Sequence, residues 1–177
     1  MIEKENQKDS FEIRIPKKDD FEQMFKFIDD SSKSLFNNTF GDKEWEDIYE
    51  FKNGLKDYVS ELGRGNILLG FKDRELVGII ILYKNKEEKF KHVANLALSV
   101  KYDSLFESLG KQLLNKMLNI AKVKGVVRKI NIKVREDLHS AKKLYEEVGF
   151  YEEGVLARDI CLNGMFYSTI LYGRNID

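Results

Sequence analysis

HVANLALSVKYDSLFESLGKQLLNKMLNIAKVKGVVRKINIKV, residues 92–134, holds two strand patterns around one helical stripe. His92 to Val100 is a short, mostly apolar run. Phe106, Leu109, Leu113, Met117 and Ile120 then recur at helical spacing. Ile130, Ile132 and Val134 alternate with Lys129, Asn131 and Lys133, the period of a half-buried strand. Strand, helix and strand in this order predict a parallel pair joined by a right-handed crossover.

Outward from this unit the patterns favour antiparallel hairpins. Upstream, Ile67 to Phe71 and Leu76 to Tyr83 are apolar runs joined by the charged turn KDRE. Earlier still, Phe11, Ile13 and Ile15 alternate with Glu12 and Arg14, and Pro16 ends that strand. Asp19 and Asp20 favour a helix start, with Phe21, Met24, Phe25 and Ile28 at helical spacing behind them. SSKSLFNNTFGD, residues 31–42, reads as a loop. A second amphipathic helix is expected from about Glu44 to Leu62, with Trp45, Ile48, Tyr49, Leu55 and Val59 on its apolar side and Gly54 weakening it. Downstream, Leu138, Ala141, Leu144, Tyr145 and Val148 share one face of a short helix. Two closing strands, Val155 to Leu162 and Phe166 to Tyr172, flank an Asn163-Gly164 hairpin turn. The order β-α-α-β-β-β-α-β-α-β-β predicts an α/β (α+β) fold: a mixed, mostly antiparallel sheet of about seven strands with helices on both faces. No stretch reads as a linker or a repeat, so residues 1–177 are expected to form a single domain, with 1–10 as a loose leader.

Composition narrows the function classes. Lys+Arg and Asp+Glu are each 30, so the formal net charge is zero, whereas a nucleic-acid binder usually carries a basic excess. No apolar run reaches membrane-spanning length, and the charged start MIEKENQKDS lacks an apolar signal core. Neither a nucleic-acid nor a membrane partner is expected, and the default compartment is the cytoplasm. One cysteine, Cys161, and two distant histidines, His92 and His139, give no metal-ligand spacing. Cys161 alternates with apolar strand residues and is expected to be buried packing. His139 is expected to be exposed.

The element order, together with LHSAKKLYEEVGF at 138–150 and the following EG at 153–154, resembles the GNAT superfamily of acyl-CoA-dependent N-acetyltransferases from about Phe11 to Ile176. The later helix of that family reads Asn-x-x-Ala-x-x-Leu-Tyr-Glu-x-x-Gly-Phe, matched here from Ala141 through Phe150. Its pyrophosphate loop reads Gln/Arg-x-x-Gly-x-Gly/Ala, which aligns with Leu105-Phe106-Glu107-Ser108-Leu109-Gly110. Only the last glycine is kept. Leu105, Ser108 and Leu138 replace the usual Gln/Arg, glycine and asparagine.

The resemblance implies a splayed central parallel pair and acetyl-CoA as cosubstrate, with no metal. It places the pyrophosphate at the loop Leu105–Lys111, where a helix start offers backbone N–H donors and a positive dipole end. Leu105, Ser108, Leu109 and Gly110 would contribute there, and Lys111 could add a positive charge. Glu107 must then point away from the phosphates. On the strand LALSV, 96–100, the resemblance implies that the main chains of Leu98 and Val100 bond the pantetheine arm and polarise the thioester carbonyl. It gives Tyr145 the role of general acid, protonating the departing thiolate. A core tyrosine with a satisfied hydroxyl is the competing reading of the same residue. No general base is identified. Asn95 stands where some relatives carry a glutamate and could hold a water, and His92 is a second candidate.

The activity so implied is transfer of an acetyl group to an amine of a small molecule or peptide by direct attack, in a monomer or homodimer. The acids Asp29, Asp30, Asp42, Glu44, Glu46 and Asp47 favour a cationic amine, unless they form a solvated helix face. The altered Leu105, Ser108 and Leu138 support a second reading: a catalytically weak GNAT-like domain that binds CoA or a partner without turnover. An acyl group other than acetyl is a third.

Overall fold

The computed structural model describes residues 10–33, 66–84 and 87–176. The helix expected from about Glu44 to Leu62 lies outside the described residues, as does most of the leader. The strands are β1 (Glu12–Arg14), β2 (Ile67–Lys72), β3 (Glu75–Lys84), β4 (Val93–Val100), β5 (Lys129–Arg135), β6 (Tyr151–Leu162) and β7 (Met165–Asn175). The helices are α1 (Phe21–Lys33), α2 (Lys111–Lys124) and α3 (His139–Glu147). The strands form one sheet in the order β1-β2-β3-β4-β5-β7-β6. Every neighbouring pair is antiparallel except β4 and β5. No helix among the described residues is long and apolar enough to cross a membrane.

Alternation along the strands sorts their side chains onto two faces. Leu96, Leu98 and Val100 of β4 and Ile130, Ile132 and Val134 of β5 join Leu113, Met117, Leu144 and Tyr145 in one buried cluster. Both α2 and α3 therefore lie on this face. Met24, Phe27 and Ile28 of α1 pack on the other face, against Leu69, Ile79, Ile81 and Ala97. Two-residue turns close the hairpins. Asp73 and Arg74 join β2 to β3 at φ 50° and 68°, and Asn163 and Gly164 join β6 to β7 at φ 50° and 79°. Both central residues at positive φ match the strand twist.

Asp20 ties β1 to the start of α1. It accepts two bonds from the Arg14 guanidinium, at 2.6 and 2.8 Å, and one from the Lys17 N–H at 2.6 Å. The Arg14 hydrogen bond outweighs burial and holds the Asp20 carboxyl below its usual range.

Four local expectations are corrected. Residues 31–33 continue α1 rather than opening a loop. Ile15 is exposed, because β1 ends at Arg14 and the chain turns away at Pro16. Cys161 is exposed, not packed, because β6 is an outer strand of the sheet, with β7 as its one neighbour among the described residues. Finally, the segment expected as a loop before α2 is already helical: a 3-10 turn spans Asp103–Leu105 and a π-turn spans Phe106–Gly110.

Candidate active site

The parallel ladder between β4 and β5 is short. It pairs Val93 with Lys129, Ala94 with Ile130 and Asn95 with Asn131, and goes no further. Both strands continue, β4 against β3 to Val100 and β5 against β7 to Arg135. The two centre strands therefore part beyond Asn95 and Asn131, opening a wedge. The bond from the Lys101 N–H to the Val77 carbonyl, 2.8 Å, fixes the phase of the β3–β4 ladder. Ser99 and Ala97 share that phase, so the main-chain groups of Leu98 and Val100 are directed to the β5 side, into the wedge.

At the mouth of the wedge stands the segment that the resemblance aligns with a pyrophosphate loop. Leu105, Phe106, Leu109 and Gly110 are buried, Ser108 and Lys111 are half-buried, and Glu107 is exposed. Leu109 reaches down to β2 and β3, where the paired glycines Gly70 and Gly78 leave room for it. The Leu105 N–H bonds the Tyr102 carbonyl at 2.9 Å, and the Lys111 N–H bonds the Phe106 carbonyl. Charges tie the segment to α3. Lys111 Nζ meets Glu147 Oε2 at 2.9 Å, and Lys143 Nζ meets Glu107 Oε1 at 2.7 Å. Glu107 is exposed, with Lys143 as its partner. These partners are 36 residues apart, so no local pattern could have revealed them.

Tyr145 lies between α3 and the sheet and is fully buried. Its ring packs edge-on to Phe150, with centroids 5.8 Å apart, and lies 6.4 Å from the ring of Tyr172. Tyr172 hydrogen-bonds Glu146 at 2.7 Å. The Tyr145 hydroxyl, in contrast, has no hydrogen-bond partner among the described residues. Burial pushes its pKa up, so the phenol keeps its proton across the neutral range. A buried hydroxyl left unsatisfied costs about 1–3 kcal/mol, and so marks a place where a ligand atom would be favourable. Leu138 precedes α3 without making a side-chain cap, consistent with its replacing a capping asparagine.

The opposite face of the wedge is polar. Asn95, Lys129, Asn131, Lys133 and Arg135 point there by alternation, beside Thr169 and Gly173 of β7. Lys129 pairs with Glu153 at 2.7 Å, and the Glu153 carboxylate lies over Gly173, where any Cβ would collide with it. Arg135 pairs with Asp137 and stacks 4.8 Å over the Tyr167 ring. Asn131 Oδ1 and Thr169 Oγ1 are buried with no partner among the described residues. Of these, sequence reading singled out Asn95 alone as a site candidate, although the β5 alternation already placed Asn131 and Lys133 on one face. His92 and His139 are exposed. The His92 carbonyl is bonded by the Arg128 and Lys129 N–H groups at the far end of β4 from Val100. Of the acidic residues that favoured a cationic acceptor, Asp30 is exposed and Asp42, Glu44, Glu46 and Asp47 lie outside the described residues.

A family model for the acetyltransferase (GNAT) family matches residues 24–150. No curated protein matches the chain. Among solved structures, a GNAT-family acetyltransferase from Streptococcus pneumoniae is 21% identical with a TM-score of 0.76, covering 95% of this chain and 100% of that one. A ribosomal-protein-alanine N-acetyltransferase from Brucella melitensis is 17% identical with a TM-score of 0.73, covering 93% and 99%. A phosphinothricin acetyltransferase from Sinorhizobium meliloti, solved in complex with acetyl-CoA, is 14% identical with a TM-score of 0.74, covering 94% and 88%.

Proposed function

The chain belongs to the GNAT acetyltransferase family, and from that premise we propose that it is an N-acetyltransferase moving the acetyl group of acetyl-CoA to an amine of a small molecule or peptide by direct attack. The observation that carries this reading is the Tyr145 hydroxyl: buried and without a partner among the described residues, on the helix that packs against the diverging strands. The pantetheine arm would enter the wedge beside the main chains of Leu98 and Val100, and the phosphates would lie at the segment Leu105–Lys111.

In the reaction the amine nitrogen forms a bond to the acetyl carbon while the carbon–sulfur bond breaks. The nitrogen sheds a proton to solvent. Tyr145 gives its proton to the departing sulfur and regains one from solvent, which makes it a general acid. The main-chain groups of Leu98 and Val100 would orient the thioester and stabilise charge developing on its carbonyl oxygen.

A second reading is favoured by one observation. Two N–H groups of the phosphate segment, those of Leu105 and Lys111, already bond carbonyls of the chain, and the Lys111 cation already pairs with Glu147. A domain that holds CoA weakly, or a partner without turnover, would tolerate this. Calorimetry with acetyl-CoA and thiol release across a panel of amines separate the two. Saturable binding with amine-dependent thiol release is expected. Binding without release supports the second reading, and no binding at millimolar acetyl-CoA removes both cofactor roles.

A further inference from the structure

Resting on the acetyl-transfer reading, we propose that the amine acceptor carries a carboxylate, an amino acid being the simplest case, and that Lys133 is its counter-charge. Continuing the register of Asn95 and Asn131 brings Lys133 level with Ala97 and next to Leu98. Lys133 therefore projects on the α1 face of the sheet, across the wedge from the strand that would hold the thioester. Tyr145 and both α2 and α3 occupy the other face, so the amine has the Lys133 side from which to approach.

Of the three β5 cations on that face, two have an acidic partner among the described residues. Lys129 is neutralised by Glu153, and Arg135 by Asp137. The Lys133 side chain is exposed and makes no ion pair or hydrogen bond among the described residues. A polyamine would bring a second cation against it, whereas a carboxylate would complete the pairing.

Two neutral groups beside it fit the same ligand. Asn131 Oδ1, a hydrogen-bond acceptor without a partner, lies two residues down the strand at the point where the wedge begins, and suits an amine N–H. Two residues along a strand advance about 6.7 Å, on the order of the length of a small amino acid. Thr169 Oγ1, also buried without a partner among the described residues, belongs to the Arg135–Thr169 pair, two pairs up the β5–β7 ladder from Lys133, and can donate to a carboxylate. The Lys133 cation has a second effect on the same ligand. A neighbouring positive charge lowers the pKa of an ammonium, so more of the bound acceptor is the neutral nucleophile.

The test compares matched acceptors: free amino acids against their carboxamides, and 4-aminobutyrate against putrescine, each with acetyl-CoA and thiol release as readout. For accepted side chains kcat/KM should favour the acid over its amide by roughly tenfold, the scale of one charge contact of about 1.4 kcal/mol. Lys133→Gln should reduce that ratio towards one, and Lys133→Glu should invert it. Acetyl-CoA affinity, measured by calorimetry on each variant, controls for folding. Preference for amides or putrescine in the wild-type protein, or an unchanged ratio in Lys133→Glu, overturns the proposal. If acetyl-CoA binds and no amine of either class releases thiol, the acetyl-transfer reading itself fails, a result distinct from a wrong preference.

Discussion

A Cβ placed on Gly78 would lie 2.7 Å from Cδ2 of Leu109, with Leu113 Cδ1 at 3.1 Å. Gly70, its partner across the β2–β3 ladder, is under the same leucine at 2.6 Å from Cδ1. The two glycines form a dimple that seats the π-turn ahead of α2. Gly78→Ala must push a fully buried side chain into a filled core and should cost about 1–3 kcal/mol. Chemical denaturation reads the loss. A smaller cost of Gly78→Ala in a Leu109→Ala background, which lacks the obstructing methyls, would show that this contact is the cause.

Tyr145→Phe keeps the ring and its contacts with Phe150 and Tyr172 and deletes only the hydroxyl. On the authentic acceptor kcat should fall roughly 10²–10⁴-fold, with acetyl-CoA affinity nearly unchanged. The folded protein should be slightly more stable, because an unsatisfied buried hydroxyl is removed. A raised folded pKa also has a pH signature. Its contribution to stability is complete below the unfolded value of about 10 and declines as pH rises above it, so the wild-type protein should lose stability in strong alkali more steeply than Tyr145→Phe. Full kcat in the variant, with chemistry rate-limiting, would make Tyr145 a packing residue.

Glu147→Gln should tighten CoA binding several-fold. The glutamate is the partner of Lys111, and removing its charge leaves the lysine available to the phosphates. The pair is exposed, so thermal stability should barely move. Isothermal titration at low and high salt checks both parts, since a gain of electrostatic origin shrinks as ionic strength rises. Weaker binding in the variant would mean that Lys111 does not face the phosphates.

Asp20→Asn removes the charge that binds Arg14 and should destabilise by roughly 1.5–3 kcal/mol. Because the folded carboxyl titrates below its ordinary value of about 3.9, its contribution is present above that pH and is lost as pH falls through the folded pKa. The difference between wild type and variant should therefore close in acid, below about pH 4, as followed by urea unfolding at successive pH values.

The parts of the fold set by periodicity were readable before any coordinates. The β4–α2–β5 unit, both hairpin turns and the inward face of α3 all follow from spacing of apolar residues and from Asn163-Gly164. The misreadings have physical causes. Cys161 alternates as a buried residue would, but whether a strand is central or outermost is a property of the sheet order, which the alternation does not encode. At Leu105–Gly110 the aligned pattern implied a loop, while the apolar stripe had already begun at Phe106, and the local residues followed the stripe. The site divides in the same way. Tyr145 could be named from its helix face and LYEEVGF, but the partnerless state of its hydroxyl depends on what surrounds it. Lys133 reads as any outward strand lysine, because what sets it apart is the pairing of Lys129 and Arg135 on either side.

The short ladder between β4 and β5 also has a mechanical meaning. With main-chain bonds between them confined to His92–Asn95 and Arg128–Asn131 among the described residues, the sheet is two slabs, β1–β4 and β5–β7–β6, joined along a seam at one end like the covers of a book at the spine. Amide exchange should therefore report two blocks of protection able to open separately. A ligand seated in the wedge would act as mortar between the slabs, raising protection in both at once, including at β1 and β6, which no ligand in the wedge would touch.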